Sequence, residues 1–258
     1  MKEAAAVTPL QRYALLGSPV AHSRSPAMQQ AAFAAARIAG SYEAIDVTPA
    51  QLPAAIERLR SEHYAGWNAT TPLKTAILSL VDSLTIEALD IGAINVVRRE
   101  DDGRLTGHNT DGTGLVRALV EAWEWRPNGQ HVLLLGSGPA AAAVAYALRE
   151  AGATAISCWS RNREKALAIA PPPQKAAALI ISALPSDAQL PEEASRWASS
   201  ACDVVDLNYA ASRSPVGQLP ARRRLDGLPL LLQQGALSFE WWTGRAAPLA
   251  AMQRALGL

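Results

Sequence analysis

Short apolar runs alternate with longer, alanine-rich segments along most of the chain. Runs such as 131–135 have the length of a strand, whereas segments such as 140–151 place apolar residues at helical spacing. Strands that alternate with amphipathic helices are typical of parallel sheets, so the pattern predicts an α/β fold. The predicted strands are 13–16, 41–47, 66–69, 93–98, 105–109, 131–135, 155–160 and 179–183. The predicted helices are 26–39, 49–61, a segment from about residue 72, 112–123 and 140–151.

The pattern of predicted strands and helices changes near residue 111. Residues 131–160 form a self-contained strand–helix–strand unit with the loop GSGPAA after its first strand. The length of 258 residues is also large for a single core. We therefore expect two α/β domains, 1–111 together with 235–258 and 112–234, the second of them Rossmann-like.

Composition and charge narrow the function classes. Hydrophobic residues make up 49% of the chain and charged residues 18%, which excludes a disordered protein. The net charge is +1, and the only basic run is 222–224, so nucleic acid is not expected as a partner. No apolar run approaches the roughly eighteen residues of a membrane span, which predicts no membrane association.

Cysteine usage and the N-terminal stretch both bear on the compartment. Cys158 and Cys202 are too few for a disulfide framework and lack metal-ligand spacing, so no metal is expected. The stretch MKEAAAVTPLQRYALLG lacks the apolar core of a signal peptide. We therefore expect a cytoplasmic protein, either a monomer or a homodimer.

The loop GSGPAA has the position of a dinucleotide-binding loop. Gly136 and Gly138 follow a buried strand and precede a helix, whose free N–H groups and positive dipole end can face a pyrophosphate. Pro139 has no N–H, so one donor is missing. The alternative is a strand-to-helix turn that needs glycine only for its dihedral angles.

The end of the next predicted strand carries basic residues. Ser160 is followed by Arg161, and Arg163 and Lys165 come soon after, where an NAD-specific protein would place an acid for the ribose hydroxyl. A 2′-phosphate needs guanidinium partners, so NADP is the expected cofactor. A solvated basic turn is the alternative interpretation.

Two further motifs lie in the first predicted domain. HSRSP places the hydroxyls of Ser23 and Ser25 on one side of an extended segment at a helix start, a pattern that suits a small carboxylate. Ser25 as N-cap, with Pro26 at the first helical position, would need no ligand.

The last two candidates are a lysine and an aspartate at predicted helix starts. NATTPLK places Lys74 in the first turn of a helix, where the dipole disfavours a cation, so a catalytic role would explain the residue. NTDG places Asp111 at the start of another helix, where an ordinary N-cap is the alternative. Spacing alone leaves both residues open between capping or surface positions and catalysis.

Taken in order, these motifs resemble the shikimate dehydrogenase family of NADP-dependent enzymes that reduce 3-dehydroshikimate. The matching stretches run along almost the whole chain. They are GSPVAHSRSP (17–26), GWNATTPLK (66–74), GAINVV (92–97), GHNTDGTG (107–114), GSGPAAA (136–142), SRNREKA (160–166) and LLLQQGALSFEWWTG (230–244).

The resemblance implies a role for each matching residue. Lys74 and Asp111 would be the catalytic pair, and Ser23 and Ser25 would bind the substrate carboxylate. The residues implied for the rest of the substrate are Thr70, Asn95, Asp111 and Gln234, with Tyr209 nearby. The residues implied for NADP are Gly136, Ser137, Gly138, Pro139, Ala140, Ser160, Arg161, Asn162, Lys165 and Ala183. The resemblance also makes 1–111 with 235–258 the substrate-binding domain and 112–234 the dinucleotide-binding domain.

Departures from the family pattern are concentrated in the second domain. Pro139 stands where glycine is usual, and ISALP (181–185) stands where the family has INATP. Only about ten residues, three of them proline, separate the helix that ends near Ile169 from strand 179–183. A doubly wound sheet normally has an edge strand and a helix in that interval. We therefore expect an edge strand to be missing, with residues 171–173 crossing near the open edge.

Two alternatives remain beside NADP-linked reduction of 3-dehydroshikimate to shikimate. One is a family relative that acts on quinate or a similar cyclic polyol acid. The other is a non-catalytic or weakly catalytic protein that binds shikimate-like acids and has a degenerate cofactor domain.

Overall fold

The computed structural model describes residues 10–209 and 213–258. The first nine residues, which carry part of the expectation about a signal peptide, lie outside the described residues. The chain folds as two compact units. Unit 1 comprises Met1–Thr85, Ile94–His108 and Gly235–Leu258, and unit 2 comprises Ile86–Ala93 and Asn109–Gln234.

The predicted domain boundaries differ from these units in two segments. Residues 86–93 and 109–111 belong to unit 2, although the sequence placed both segments in the first domain. Helix α3 (Ile86–Ile91) packs against helix α5 (Pro139–Glu150), which explains the first difference. The assignment of 1–111 with 235–258 to substrate and of 112–234 to the dinucleotide stays a prediction.

Unit 1 is built on a mixed six-stranded sheet with the order β2-β1-β3-β5-β6-β4. Its strands are β1 (Gln11–Gly17), β2 (Gly40–Asp46), β3 (Gly66–Ala69), β4 (Ser83–Leu84), β5 (Val96–Arg99) and β6 (Leu105–His108). Strands β2 and β3 run parallel to β1, and β5 is antiparallel to β3. The carboxyl ends of β1 and β3 therefore meet the amino end of β5.

The helices of unit 1 cover this sheet. They are α1 (Ser25–Ala35), α2 (Leu52–Ser61), the 3-10 helix Ala76–Leu80, the second part of α7 (Leu228–Thr243), and α8 (Leu249–Leu256). The core is aromatic: the ring of Tyr13 stacks on Phe33 with centroids 4.8 Å apart and packs against Trp242 at the same distance. Stacked and tilted rings of this kind stabilise a core beyond their buried area.

Helix α1 begins earlier and ends sooner than predicted. The Met28 N–H donates to the carbonyl of Arg24, so Arg24, not Ser25, is the N-cap residue. Ser25 is inside the helix and donates its N–H to the Ser23 hydroxyl at 3.2 Å. The helix ends at Ala35 rather than 39 because Arg37 adopts a left-handed conformation with φ 54°.

Unit 2 is built on a five-stranded parallel sheet with the order β11-β10-β9-β7-β8. Its strands are β7 (His131–Leu135), β8 (Ala155–Trp159), β9 (Leu179–Ser182), β10 (Asp203–Asp206) and β11 (Arg223–Leu225). Helices α3, α4 (Asp111–Trp123), α5 and α6 (Arg163–Ile169) and the 3-10 helix Glu192–Arg196 accompany the sheet. The strand order and the glycine loop confirm a Rossmann-like unit.

Strand β8 is the outermost strand on one side of this sheet. Within 10–209 and 213–258, no strand pairs with its outer side. The Cys158 N–H on that side donates to the carbonyl of Pro171 at 2.9 Å. Both parts of the expectation are therefore confirmed: the sheet ends at β8, and the proline segment crosses its edge. Proline suits that place because it offers no donor to a further strand.

The opposite edge of the sheet uses the basic run 222–224. Arg222 and Arg223 each donate two hydrogen bonds to Asp203, at 2.6–3.1 Å. Arg224 donates to the carbonyls of Val216 and Leu219. The run therefore binds the protein's own acceptors. No helix in the described part of the chain is both long enough and apolar enough to span a membrane.

Candidate active site

Five of the predicted site residues follow or precede strands at one end of the unit 1 sheet. Ser23 and Ser25 come after β1, Thr70 and Lys74 come after β3, and Asn95 comes directly before β5. The strand register pairs Leu16 with Ala69 and Asn68 with Val96, which brings these strand ends side by side. All five belong to the same unit.

Ser23 and Ser25 differ in exposure. Ser25 is 7% exposed, whereas Ser23 is half-buried and accepts a hydrogen bond from the Ser25 N–H. Because Ser25 does not cap the helix, its hydroxyl is not committed to the capping role that the sequence offered as an alternative. Both hydroxyls can donate to a carboxylate.

The sequence predicted Lys74 in the first turn of a helix, and the structure contradicts this prediction. The Leu73 N–H closes a turn onto the Thr70 carbonyl at 2.8 Å, and the 3-10 helix begins only at Ala76. The Lys74 carbonyl accepts from the Ile94 N–H at 2.8 Å. Ile94, in the segment before β5, therefore uses an acceptor that would serve a helix. The argument from the helix dipole is therefore wrong. The half-buried side chain remains at the carboxyl end of β3.

Asn68 is a buried residue that the sequence did not single out. Its side chain accepts from the Tyr42 hydroxyl at 2.7 Å and donates at 3.0 Å to both the Asn95 carbonyl and the Ser238 hydroxyl. Burial raises the pKa of Tyr42, so this hydroxyl stays protonated and donates. Asn68 thereby fixes the backbone of Asn95. A polar residue inside an otherwise apolar strand was the available signal.

Thr70 and Asn95 are held mainly through their backbones. The Thr70 N–H donates to the Leu16 carbonyl at 2.8 Å, and the Asn95 N–H donates to the His108 carbonyl at 3.1 Å. A Cβ at Gly17 would collide with the Thr70 side chain, so β1 needs glycine at its carboxyl end. Asn95 is 2% exposed and Thr70 is half-buried.

In unit 2, Asp111 is the first residue of α4 and not its N-cap. Thr110 is the N-cap residue, and its carbonyl accepts from the Gly114 N–H at 2.9 Å. Asp111 is 6% exposed and donates its N–H to the Asn109 side chain at 3.0 Å. A carboxylate in the first turn is favoured by the helix dipole. The N-cap alternative for Asp111 is therefore wrong.

Gln234 lies close to the start of α4 within the same unit. The Thr110 hydroxyl donates to the Gln234 carbonyl at 3.1 Å, and a Cβ at Gly114 would lie 2.7 Å from the Gln234 nitrogen. The Gln234 side-chain amide donates to the Leu231 carbonyl at 2.9 Å. Asp111 and Gln234 are thus brought together by a close approach of α4 and α7 that only glycine permits.

The glycine loop joins β7 to α5 as predicted. Gly136 has φ 111°, a conformation that favours glycine, and its added Cβ would lie 3.0 Å from the Ala183 carbonyl oxygen. At Gly138, an added Cβ would meet no atom within 4 Å, so the space above the loop is open. Ala140 and half-buried Pro139 start α5 directly after the loop. These features fit a dinucleotide pyrophosphate.

The loop and the end of β8 are joined by a chain of hydroxyl groups. The Ser137 and Ser160 hydroxyl oxygens are 2.8 Å apart, and Ser160 also donates to the Asn162 carbonyl at 2.7 Å. Asn162 caps α6 by accepting from the Lys165 N–H at 3.0 Å. Arg161 is exposed beside them. A guanidinium in that position suits a phosphate.

Ala183 and Tyr209 follow the next two strands of the unit 2 sheet. Ala183 comes directly after β9 and donates its N–H to the Leu135 carbonyl at 2.8 Å. Half-buried Tyr209 comes three residues after β10. Strands β7, β8, β9 and β10 are parallel, so their carboxyl ends lie at the same edge of the sheet. That edge is followed by the glycine loop, Ser160, Ala183 and Tyr209.

Asp206, at the end of β10, is the centre of a second network that sequence reasoning missed. Its carboxylate accepts from the Asn208 side chain at 2.7 Å and from the Ser214 hydroxyl. Asn208 also donates to the Leu184 carbonyl at 2.9 Å, which ties the loops after β9 and β10 together. The position of Asp206 at a strand end was the signal for it.

Other reactive groups have ordinary structural roles. Burial raises the pKa of the Cys158 thiol to about 11, which leaves it protonated. Both cysteines are free and buried. In the described part of the chain, no three His, Cys, Asp or Glu side chains are grouped so that they could hold a metal ion.

Comparisons with known proteins agree with this arrangement. The family model described as the shikimate dehydrogenase substrate binding domain matches residues 15–97, and that described as the shikimate 5'-dehydrogenase C-terminal domain matches residues 227–256. The chain is 34% identical to the shikimate dehydrogenase (NADP(+)) of Magnetococcus marinus, over 94% of each chain.

Solved structures are similar along the same length. The shikimate dehydrogenase of Aquifex aeolicus is 30% identical with a TM-score of 0.86, and the match covers 96% of this chain and 97% of that one. The Thermus thermophilus enzyme, in complex with NADP(H) and shikimate, is 36% identical with a TM-score of 0.83, over 95% and 98% of the two chains. The chain therefore belongs to the shikimate dehydrogenase family.

Proposed function

We infer that this chain catalyses the reversible, NADP-dependent reduction of 3-dehydroshikimate to shikimate. One observation carries the inference: the chain matches, over nearly its full length, an enzyme whose structure holds both NADP(H) and shikimate. In unit 1, the predicted substrate residues also lie at one end of a single sheet. The reaction belongs to aromatic amino-acid biosynthesis.

Ser23 and Ser25 bind the carboxylate of the substrate in this proposal. Two hydroxyl donors two residues apart, one on either side of Arg24, present a fork that suits two carboxylate oxygens. Thr70, Asn95, Asp111 and Gln234 bind the hydroxyl groups, with Tyr209 nearby. The network around Asn68 supports this role, because it holds Asn95 rigidly before ligand arrives.

Lys74 and Asp111 are the proposed catalytic residues. In the reducing direction the Lys74 ammonium donates a proton to the carbonyl oxygen that becomes a hydroxyl. In the oxidising direction the neutral amine takes the proton back from that hydroxyl. Asp111 is the proposed acidic member of the pair.

The residues assigned to NADP fit the group. The glycine loop with Ala140 binds the pyrophosphate, and Ser160, Arg161, Asn162 and Lys165 bind the 2′-phosphate end. Ala183, which follows the carboxyl end of β9, would hold the nicotinamide end. The bound dinucleotide supplies or accepts the hydride at the ring carbon. The open space at Gly138 supports this assignment, because a ligand can approach the backbone there.

We also propose a cytoplasmic protein that works as a monomer or homodimer, without nucleic-acid or membrane partners. The internal use of the basic run 222–224 supports the absence of nucleic acid. The two free cysteines agree with a reducing compartment.

The deciding experiment measures NADP reduction by the purified protein with shikimate, with quinate and with neither. Turnover with shikimate that exceeds turnover with quinate, in kcat/KM, is the expected result. A preference for quinate would establish the polyol-acid alternative. Shikimate binding in calorimetry without any turnover would establish the non-catalytic alternative.

A further inference from the structure

The open edge of the unit 2 sheet borders a cavity of about 550 Å³. We call it the edge cavity; it is open to solvent on one side and lined by β8, α6, Pro172 and Pro173, and the 3-10 helix Glu192–Arg196 with Trp197. A volume of this size is within the usual range for small-molecule sites. It occupies the side of β8 on which no further strand pairs in the described parts of the chain.

The cavity has an aromatic wall. The rings of Trp159 and Trp197 are 5.9 Å apart at an interplanar angle of 49°. Trp197 is 7% exposed and Trp159 is half-buried, so both rings are held in place while part of their surface faces the cavity. Pro172 and Pro173 add a rigid apolar wall. Such surfaces favour a flat aromatic ring over a flexible or strongly polar molecule.

The rim of the cavity is predominantly basic. Arg163, Lys175 and Arg196 line it, against a single carboxylate, Glu193. Within the two described stretches of chain, none of these four side chains is in an ion pair. The cations come from three separate segments: Arg163 from α6, Lys175 from the loop after the prolines, and Arg196 from the 3-10 helix. An anionic group on the ligand would offset this excess of positive charge.

The edge cavity is separate from the proposed cofactor residues. Of those residues, Ser160 alone lines it, and neither the glycine loop nor Ala183 does. A molecule bound in the cavity would therefore lie beside the end of β8, not across the carboxyl edge of the sheet. This location does not depend on the proposed function.

We propose that the edge cavity is a second ligand site, which binds a small aromatic carboxylate. The ring would pack against Trp159, Trp197 and the prolines, and the carboxylate would face Lys175 and Arg196. An aromatic and proline wall together with an unpaired basic rim carries the assignment.

The test uses 2-naphthoate as the probe and 2-naphthamide as its neutral, nearly isosteric counterpart. Binding to the whole protein is measured by calorimetry and by the change in tryptophan fluorescence. Saturable binding of one 2-naphthoate per chain, about threefold to tenfold tighter than 2-naphthamide, is the expected result for a partly exposed charge contact.

Charge variants locate the site. Lys175→Gln and Arg196→Gln should each weaken 2-naphthoate binding about threefold or more and leave 2-naphthamide unchanged. Arg126→Gln is the matched control, because Arg126 is an exposed arginine of the same unit that does not line the cavity. Thermal unfolding of each variant shows that the fold is retained, and both targeted side chains are exposed.

Three outcomes would overturn the proposal. The first is an absence of saturable 2-naphthoate binding, and the second is equal binding by the wild type and both cavity variants. The third is complete displacement of 2-naphthoate by NADP, which would make the cavity a part of the cofactor site. Failure of shikimate turnover leaves all three readouts intact, so the two proposals can fail separately.

Discussion

Two regions differ in how firmly hydrogen bonds and packing hold their residues. One is the end of the unit 1 sheet at which β1 and β3 finish, and the other is the outer edge of the unit 2 sheet. At the first, short strands, buried amides and a glycine at position 17 hold the predicted substrate residues in fixed backbone positions. At the second, β8 donates one backbone hydrogen bond, from the Cys158 N–H to the Pro171 carbonyl, and borders a cavity. Groups that must meet the reacting atoms need this precision, whereas one wall of a large cofactor's site can be reduced with a smaller loss.

The largest expected effect falls on the unit 1 side. Lys74→Ala should lower kcat for shikimate oxidation by about 10²–10⁴-fold, because it removes the group that moves the proton in the transition state. The KM for shikimate should change only a few-fold. Steady-state kinetics with saturating NADP measure both constants.

Arg58→Ala is the control for this prediction, since Arg58 is an exposed basic residue of unit 1 outside the proposed sites. Its kcat should equal that of the wild type. A loss in KM as large as the loss in kcat would recast Lys74 as a binding residue.

The next largest effect concerns the substrate carboxylate. Ser23→Ala and Ser25→Ala should each raise the KM for shikimate about tenfold or more, since a hydrogen bond to a charged group is worth ~1.5–3 kcal/mol. The KM for NADP should stay the same, because these residues belong to the other unit. Ser61→Ala, an exposed serine of unit 1, is the control. Equal rises in both KM values would contradict a role in carboxylate binding.

A comparable effect is expected for cofactor selectivity. Arg161→Ala should remove most of the preference for NADP over NAD, on the order of 1–3 kcal/mol. The ratio of the two dissociation constants, measured by calorimetry, reports this change. The Arg126→Ala ratio should equal that of the wild type. If the ratio for Arg161→Ala also stays constant, the selectivity belongs to Arg163 or Lys165, or is absent.

The open edge itself predicts a weaker cofactor complex. NADP should bind about tenfold more weakly than it does to a family member whose cofactor domain has the further edge strand, or ~1.4 kcal/mol, because one wall of its site is reduced. Shikimate affinity should be comparable in the two enzymes. Matched titrations of both proteins measure the difference. Equal NADP affinities would mean that the basic residues after β8 suffice without a further strand.

The smallest expected effect is on stability at the other edge of the same sheet. Burial alone would raise the pKa of Asp203, but hydrogen bonds and charge from Arg222 and Arg223 outweigh it and lower the pKa. A lowered native pKa means that this stabilisation is present above the unfolded value near 3.9 and is lost as the pH falls through the native value. Asp203→Asn should therefore cost about 1–3 kcal/mol at neutral pH and much less in acid.

Thermal unfolding at several pH values checks this prediction. Each kcal/mol should lower Tm by roughly 2–4 °C in a protein of this size. Asp187→Asn, at an exposed aspartate of unit 2, is the control. A loss of stability that is the same at pH 3 and pH 7 would show that packing, not the ion pairs, is responsible.

The strands with clear apolar runs could be predicted from the sequence, because burial on both faces of a parallel sheet leaves a continuous apolar signal. Strands 66–69 and 131–135 agree with the structure residue for residue. Strand β11 was missed, since its residues Arg223–Leu225 are mostly charged and are held by Asp203 from a neighbouring strand. That pairing is a tertiary contact with no local signature.

Errors at the candidate site have a similar origin. The helix predicted from about residue 72 fails because the Ile94 N–H, distant in sequence, takes the Lys74 carbonyl. Ser25 was predicted as a cap from residue preference and capping was the alternative role for Asp111, yet Arg24 and Thr110 hold those positions. The network of Asn68 depends on Ser238, which is 170 residues away, and Asp206 is linked to the loop after β9 only through the contact of Asn208 with Leu184. The local geometry at these positions therefore depends on tertiary contacts that have no signature in the neighbouring sequence.

The absence of a side chain at Gly112 has a consequence for motion. A Cβ there would collide with the Ala143 carbonyl oxygen, so α4 and α5 lie in direct backbone contact one residue after Asp111. Helix α5 starts at the glycine loop, and Gly114 permits a close approach of α4 to the backbone of Gln234. Because no side chain separates the helices at these contacts, we expect Asp111, the loop and Gln234 to move together. A cofactor that reduces the motion of the loop would then also slow amide hydrogen exchange along the first turns of α4.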